Sequence, residues 1–209
     1  MKLQIALDRM PAATALDVAA AVAPHVDWIE VGTSMIKREG AAYLTAVADA
    51  AGDTPVLADL KTADDARWEL TMAYDAGARS ATVLGLAPAT TIDTAVQVAR
   101  ERGRELVVDL MGLDAAARAA LADRLPSDVV LAAHVSKDAQ GDGGSPLAQL
   151  GPWADGRRIA VAGGLGVADM PVLAGTDIRV IVGSAVTSSP DPLAAVQALR
   201  AAAGAEVLR

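Results

Sequence analysis

Eight short apolar segments, separated by alanine-rich stretches, constrain the fold of this 209-residue chain more than any other feature. Each segment has the length of a buried β-strand, and the stretches between them have the spacing of apolar residues that amphipathic helices show. The segments are Leu3–Leu7, Trp28–Val31, Val56–Leu60, Ser80–Leu84, Leu106–Leu110, Val129–Ala133, Ile159–Ala162 and Val180–Val182. Eight alternating strands and helices predict an α/β fold of the (β/α)8 TIM-barrel type. An open doubly wound sheet is the alternative.

The turn after the first segment disfavours the open sheet. A dinucleotide-binding sheet carries Gly-x-Gly-x-x-Gly at this turn, whereas the chain has Asp8-Arg9-Met10-Pro11. The sequence contains no linker and no low-complexity tract. We therefore expect residues 1–209 to form a single barrel domain.

Several helix boundaries are also marked. Side chains that can cap a helix N-terminus predict helix starts at Thr14, Thr90, Ser145 and Asp191. The last two of these are followed by proline, which favours the first turn of a helix. Glycine is the residue that most often terminates a helix, and it predicts helix ends at Gly77, Gly103 and Gly175.

The composition excludes several classes of function. The chain has no cysteine, which rules out thiolate catalysis, disulfides and zinc–thiolate sites. It has 18 Lys plus Arg against 26 Asp plus Glu and no basic run longer than two residues, so we expect no nucleic-acid partner. Charges interrupt the apolar segments before a signal peptide or a membrane span could form. We expect a cytoplasmic protein without a membrane partner.

Three charged residues lie close together at the end of the third apolar segment. Asp59 and Lys61 are two residues apart, so on a strand their side chains share a face, and Asp64 follows in the next loop. Carboxylates on both sides of Lys61 would hold its amine protonated, so that it acts as a cation or an acid and not as a base. The group is either a catalytic cluster or an ion-pair cluster that closes the strand.

Polar residues also end other apolar segments, where a barrel carries its catalytic groups. These candidates are Asp8, Glu30, Asp59, Asp109 and His134. Several carboxylates buried together need a cation, and Glu30 and Asp59 offer the oxygen ligands that Mg²⁺ prefers. His134 is either a proton-transfer group or a hydrogen-bonded core imidazole.

The loops after the last two segments predict a phosphate site. Gly163-Gly164 and Gly183-Ser184 follow the seventh and eighth segments, where barrel loops commonly bind phosphate through backbone N–H groups. Ordinary turn glycines are the alternative. Nothing basic is interleaved with the tryptophans, and Arg157-Arg158 precedes a strand. We interpret Trp28, Trp68 and Trp153 as packing residues and the arginine pair as solvated charge.

The segment Asp59-Leu60-Lys61-Thr62-Ala63-Asp64 resembles the Asp-x-Lys-x-x-Asp motif of the orotidine 5′-monophosphate decarboxylase suprafamily. The resemblance runs nearly end to end. Within the family it is closest to the branch of 3-hexulose-6-phosphate synthase and 3-keto-L-gulonate-6-phosphate decarboxylase. The further matching segments are Ala6-Leu7-Asp8, Glu30-Val31-Gly32-Thr33, Thr82-Val83-Leu84-Gly85, Val108-Asp109-Leu110 and Val161-Ala162-Gly163-Gly164.

The resemblance implies a homodimer of (β/α)8 barrels with shared active sites, in which Asp64 enters the site of the partner. It implies that Mg²⁺ is bound by Glu30 and Asp59. The metal-independent orotidine decarboxylases lack this Glu, so Glu30 separates this branch from them. From the strand ends and this motif together, the residues predicted to be catalytic are Asp8, Lys61, Asp64, Asp109 and His134. Those the resemblance marks as binding the substrate phosphate are Gly163, Gly164, Gly183 and Ser184.

The branch acts on phosphorylated ketose or keto-acid sugars through a cis-enediolate, by two chemistries. Asp109 and Ala162 are typical of the synthases, which add formaldehyde to D-ribulose 5-phosphate. Lys137 stands where the decarboxylases carry Arg, and Ser184 stands where many of them carry a phosphate-binding Arg. We expect Lys137 and Ala162 to set specificity, with the synthase reaction first and the decarboxylase second. Orotidine decarboxylation and a barrel that binds sugar phosphate without turnover are more remote alternatives.

Overall fold

The computed structural model of the protein describes residues 1–204, apart from the side chain of Asp142. Its parallel strands form a closed barrel in sequence order, and the last strand pairs with the first. They are β1 Lys2–Leu7, β2 Trp28–Val31, β3 Val56–Thr62, β4 Ser80–Leu84, β5 Glu105–Asp109, β6 Val130–His134, β7 Arg158–Ala162 and β8 Arg179–Val182. The predicted (β/α)8 barrel is confirmed, and the open sheet is wrong.

Helices surround the barrel. They are α1 Ala12–Val22, α2 Thr33–Glu39, α3 Ala41–Ala51, α4 Ala66–Asp75, α5 Ala89–Glu101, α6 Ala115–Arg124, α7 Met170–Leu173, α8 Ser184–Thr187 and α9 Pro192–Ala202. Between β6 and β7 the chain forms 3₁₀ turns instead of an α-helix, at Lys137–Asp142, Leu147–Gln149 and Pro152–Ala154. Within residues 1–204 there is no helix long and apolar enough to cross a membrane.

The helix boundaries agree with the sequence only in part. The Asp191 carboxylate accepts a hydrogen bond from the Ala194 N–H at 3.0 Å, which confirms this cap. The predicted starts at Thr14 and Thr90 are wrong, because α1 and α5 begin directly after Pro11 and Pro88. Proline has its φ fixed near the helical value and lacks an N–H, and this places it at a helix start. Gly77, Gly103 and Gly175 follow the ends of α4, α5 and α7, as predicted. Each of these glycines has a positive φ.

Apolar side chains pack on both sides of the barrel wall. Leu3, Ile5 and Leu7 alternate along β1 and are fully buried in the layer between strands and helices. Burying each of them stabilises the fold by about 1.5–3 kcal/mol. A smaller apolar cluster, which includes Val107 and Ala160, lies apart from this layer.

A charged group occupies the N-terminal end of the barrel. Arg179 is 4% exposed and donates to both carboxylate oxygens of Glu105, at 2.8 and 2.9 Å. Its guanidinium lies 4.2 Å from the ring centroid of Trp28, so this tryptophan is a packing residue, as predicted. Arg158 also pairs with Glu105, and Arg157 donates to two backbone carbonyl groups. The interpretation as solvated charge is therefore wrong for Arg157, whereas Arg158 is exposed at the surface, as predicted.

An irregularity in β3 shapes the opposite end. The register of β3 against β4 shifts between Ala58 and Thr62, and Lys61 within this bulge has a positive φ of 50°. Its N–H donates to Thr82 Oγ1 at 2.8 Å. A bulge re-aims a side chain at the rim of a sheet, and here it directs Lys61 into the mouth of the barrel.

Candidate active site

The C-terminal ends of the strands enclose a cavity of about 440 Å³. Nearly all the candidate residues from the sequence line it. These residues are Asp8, Glu30, Asp59, Lys61, Asp109, His134, Lys137, Ala162, Gly163, Gly164, Gly183 and Ser184. Parallel strands end at one edge of the barrel, and this brings together side chains that are far apart in the sequence.

Lys61 connects two carboxylates in this cavity. Its Nζ lies 2.9 Å from Asp59 Oδ2 and 2.8 Å from Asp109 Oδ2. Burial acts to lower the pKa of Lys61, but the charges of Asp59 and Asp109 outweigh it and raise the pKa. Lys61 is therefore a permanent cation in the isolated site, as the sequence predicted. Its second carboxylate is Asp109 and not Asp64, so that part of the prediction is wrong.

Asp109 also holds the histidine that lines the cavity. The Asp109 Oδ2 atom lies 2.9 Å from His134 Nδ1, and its Oδ1 accepts from the Met111 N–H at 3.0 Å. Burial favours the neutral acid, yet the bonds to His134 and Lys61 hold the pKa of Asp109 well below its usual range. When the imidazole is neutral and Nδ1 carries its proton, the ionised carboxylate accepts a hydrogen bond from Nδ1, and Nε2 is left as an acceptor. His134 is thus prepared to remove a proton from a ligand.

Glu30 and Asp59 form a second pair of acids. Glu30 Oε2 accepts from Gln4 Nε2 at 2.5 Å, and both oxygens of Asp59 accept threonine hydroxyls, from Thr33 and Thr82, at 2.8 Å each. Burial, followed by the neighbouring charge of Asp59, raises the pKa of Glu30 to about 8. Two buried carboxylates whose charges repel in this way form a site that a cation would stabilise.

This acid pair fits a magnesium ion. Magnesium in proteins is commonly bound by one or two carboxylates and completes its octahedron with waters and substrate oxygens. Among the described residues no group of three or more His, Cys, Asp or Glu side chains could hold a metal. A site with two protein carboxylates open to the cavity matches this sparse coordination, and Glu30 and Asp59 are the residues that would hold the ion.

Glycines line the side of the cavity formed by β7 and β8. Gly163 has a φ of 112°, and a Cβ there would lie 2.4 Å from the carbonyl oxygen of Val135. Only glycine fits this position, since both the backbone conformation and the close approach exclude a side chain. Gly164 and Gly183 line the same cavity, and Ser184 is exposed beside them. Ala162 ends β7 and is 8% exposed.

Asp8 and Lys137 lie on either side of this glycine region. Asp8 Oδ1 accepts hydrogen bonds from the Ser34 hydroxyl and from the Arg9 N–H. Lys137 is exposed, and its Nζ donates to Gln140 Oε1 at 3.2 Å. Both side chains therefore lie where a ligand in the cavity would meet them.

Asp64 is separate from the other candidates. It is exposed, it accepts the N–H of Asp65 at 2.8 Å, and it does not line the cavity of its own protomer. Its role in the site of a partner, which the family resemblance implies, stays a prediction.

Three polar residues of the site were missed from the sequence. Gln4 is fully buried against Glu30, while Thr33 and Thr82 bond to Asp59. Gln4 and Thr82 interrupt apolar strands, and a polar residue within such a strand was the available signal. Thr33 lies in the first turn of α2; it stands in the family-matching segment Glu30–Thr33, but no role was predicted for it.

A closed parallel barrel with a histidine, a lysine and acids at the C-terminal strand ends defines an acid–base enzyme of the (β/α)8 class. The model of the orotidine 5′-phosphate decarboxylase / HUMPS family matches residues 1–199, and the chain belongs to this family. The relatives are carbon–carbon lyases, and the protein is an enzyme of that type.

The similarity covers almost the whole chain. The 3-hexulose-6-phosphate synthase of Mycobacterium gastri is 39% identical over 97% of this chain and 99% of its own. The crystal structure of 3-hexulose-6-phosphate synthase from Salmonella typhimurium is 35% identical with a TM-score of 0.89, covering 97% of this chain and 98% of its own. That of KGPDC from Streptococcus mutans, solved as a ligand complex, is 25% identical with a TM-score of 0.87, covering 97% of both chains.

Proposed function

We propose that the protein is a Mg²⁺-dependent 3-hexulose-6-phosphate synthase, which adds formaldehyde to D-ribulose 5-phosphate. The observation that carries the proposal is the hydrogen-bonded series His134–Asp109–Lys61–Asp59 in a cavity edged by glycine loops. It combines an oriented base, a fixed cation and a place for a phosphate. The relatives named as synthases at 33–39% identity support the same reaction.

His134 would perform the proton transfers. Its Nε2 removes a proton from C1 of the ketose, and the electron pair of the broken C–H bond enters a cis-enediolate. C1 then bonds to the carbon of formaldehyde, whose π electrons move to its oxygen, and this oxygen takes the proton back from the imidazolium. No proton is gained or lost overall. Asp109 orients the imidazole and stabilises it while it is charged.

Lys61 would stabilise the negative charge that develops on the substrate. Its ammonium is held at 2.9 and 2.8 Å by Asp59 and Asp109, so its position is set before the substrate arrives. A fixed charge in a partly buried site is more effective than one that must reorganise. When bound, Mg²⁺ supplies a Lewis acid that polarises the substrate oxygens.

A decarboxylase of 3-keto-L-gulonate 6-phosphate is the second candidate. It shares the enediolate, and the specific observation in its favour is Lys137, which lines the cavity at the position where the decarboxylases carry Arg. Asp109 and Ala162 favour the synthase. Glu30 argues against the metal-independent orotidine decarboxylase reaction, and the complete set of acid–base groups argues against a barrel that only binds sugar phosphate.

A homodimer with shared sites completes the proposal. Asp64 is exposed beside α4, and Trp68 on α4 is 72% exposed while Leu86 is 58% exposed. The interpretation of Trp68 as a packing residue is wrong within the protomer. The exposed tryptophan on α4, the helix that follows Asp64, and the exposed leucine after β4 instead support burial against a second copy. Mixed Asp64→Ala and Glu30→Ala subunits should regain activity that neither has alone; no recovery after verified subunit exchange contradicts shared sites.

The proposed function is tested by assaying both reactions with and without Mg²⁺. We expect turnover of D-ribulose 5-phosphate with formaldehyde, abolished by EDTA and restored by Mg²⁺. Decarboxylation of 3-keto-L-gulonate 6-phosphate should be slower. Full synthase activity in excess EDTA would remove the metal from the proposal, and faster decarboxylation would reverse the order of the two candidates.

A further inference from the structure

We propose that Arg9 binds the phosphate of the substrate. It would supply the positive charge that many decarboxylases of the family have as an Arg at the position of Ser184. This inference rests on the proposed function in one respect, that the substrate is a sugar phosphate. The glycine loops after β7 and β8 offer backbone N–H groups but no side-chain charge. The net charge of the chain is −8, so a phosphate dianion needs a local cation to enter this cavity.

The barrel places Arg9 beside the phosphate loops. Strand β1 pairs with β8, with Ile5 opposite Val182, so the turn after β1 is next to the loop that carries Gly183 and Ser184. A Cβ on Gly183 would lie 3.8 Å from the carbonyl oxygen of Ala6. Arg9, Gly183 and Ser184 line the same cavity. The side chain thus approaches the glycine loops from the β1 side.

The turn that carries Arg9 is supported by hydrogen bonds and close packing of the neighbouring Asp8 side chain. Arg9 has a φ of 52°, which is uncommon for a residue other than glycine. Its N–H donates to Asp8 Oδ1 at 3.1 Å, and the same oxygen accepts the Ser34 hydroxyl. A Cβ on Gly32 would lie 2.7 Å from Asp8 Cγ, so the Asp8 side chain is packed closely against this glycine. Non-glycine residues in this backbone region are concentrated at functional sites.

Arg9 is also the lining cation best suited to a phosphate. Lys61 is already paired with two carboxylates, and Lys137 bonds to Gln140. Lys37 is on α2, one strand further from β8. Among the described side chains, which do not include that of Asp142, the guanidinium of Arg9 makes no ion pair with a carboxylate. Arginine binds phosphate with two parallel N–H bonds, which a lysine cannot do.

The test measures binding of D-ribulose 5-phosphate by calorimetry, with Mg²⁺ present and formaldehyde absent. Arg9→Gly removes the guanidinium and suits the observed φ, so the variant should fold with an unchanged or higher melting temperature. We expect its affinity for D-ribulose 5-phosphate to fall about 10- to 100-fold. The affinity of Arg9→Lys for D-ribulose 5-phosphate should lie between those of the wild type and Arg9→Gly. The affinity for D-ribulose, which has no phosphate, should not change.

Arg79→Ala is the matched control, because Arg79 is an exposed arginine directly before β4, at the opposite end of the barrel. Its affinity should equal that of the wild type. The inference would be overturned if Arg9→Gly bound D-ribulose 5-phosphate with wild-type affinity. It would also be overturned if the affinities for D-ribulose and D-ribulose 5-phosphate fell by the same factor. If formaldehyde is not added to D-ribulose 5-phosphate but Arg9→Gly still weakens binding, the proposed reaction fails and this inference stands.

Discussion

Asp109 connects the acid–base groups of the site, because it is hydrogen-bonded to both Lys61 and His134. One of its oxygens contacts both Lys61 Nζ and His134 Nδ1, at 2.8 and 2.9 Å. At 3% exposure it is nearly out of solvent, where such charge-assisted bonds are strong. The same residue thus keeps Lys61 charged and sets the tautomer of His134. The proposed enediolate chemistry uses both functions.

Replacing Lys137 tests whether a single residue affects decarboxylation and aldol addition differently. Its loop follows β6 three residues after His134, so its ammonium can help to place the water that protonates the enediolate in a decarboxylase. A synthase must keep that protonation slow until formaldehyde is captured. We predict that Lys137→Val lowers kcat/KM for decarboxylation about tenfold, or about 1.4 kcal/mol, and lowers aldol addition less.

The measurement compares both reactions in wild type and variant, with Lys2→Val, at the N-terminal end of β1, as the control. Equal losses in the two reactions would show that Lys137 only binds substrate or orders its loop.

At the scale of the element, the bulge in β3 creates the arrangement of the site. A regular strand would place Asp59 and Lys61 side by side by simple alternation. The positive φ of Lys61 and the hydrogen bond of its N–H to Thr82 Oγ1 bring the ammonium to Asp59 and across to β5. Thr82 also donates to Asp59 Oδ1, so one hydroxyl supports both residues.

Thr82→Val therefore tests the bulge. The change keeps the shape of the side chain but leaves the Lys61 N–H without its acceptor, which costs about 1–3 kcal/mol. We predict a loss of this size in the free energy of unfolding, together with a lower kcat. Thr91→Val is the control, because Thr91 is a buried threonine on α5 outside the cavity. Urea unfolding and initial rates measure both; a stable, fully active Thr82→Val would show that the bulge does not depend on this hydrogen bond.

The same element shows what a sequence can predict. The segment from Val56 to Leu60 located β3 because its apolar run is local information, and the strand extends two residues beyond it to Thr62. The bulge was not predictable, because it depends on a hydroxyl in a neighbouring strand. For the same reason Asp109, 48 residues away, could not be chosen over Asp64 as the second partner of Lys61. Residues at strand ends were predictable because the barrel brings all such ends together.

At the scale of the whole molecule, the barrel separates its chemistry from its stabilising charges. The cavity lies at the C-terminal end, while Arg179, Glu105 and Arg158 form an ion-pair group at the N-terminal end. Burial would raise the pKa of Glu105, but Arg179 and Arg158 outweigh burial and lower the pKa below 4.5. In the unfolded chain Glu105 binds its proton more tightly. Its contribution to stability is therefore present above pH 4.5 and is lost as the pH falls through the folded pKa.

The variant Arg179→Met should show how the stabilising contribution of Glu105 depends on pH. Removing one partner of a buried ion pair costs about 3–5 kcal/mol, and because Arg158 remains we expect about 3 kcal/mol or less at pH 7. The cost should shrink as the pH falls to about 4 and below, where Glu105 becomes neutral without its partner. Arg102→Met, which breaks an exposed pair with Asp75, is the control and should cost at most about 1 kcal/mol. Urea unfolding at pH 7 and at about pH 4 measures the loss of unfolding free energy in each variant. A loss in Arg179→Met that does not vary with pH would contradict the assignment of this pH dependence to Glu105.

The central claim is that His134, oriented by Asp109, removes a proton from C1 of D-ribulose 5-phosphate. The most direct measurement is proton NMR of this sugar in D₂O with enzyme and Mg²⁺ but no formaldehyde. The account predicts that the wild type exchanges a C1 hydrogen for deuterium and that His134→Gln slows exchange about 10²- to 10⁴-fold. His25→Gln, which changes a histidine remote from the cavity, should exchange at the wild-type rate. Exchange at the wild-type rate in His134→Gln, or none in the wild type, would contradict the account.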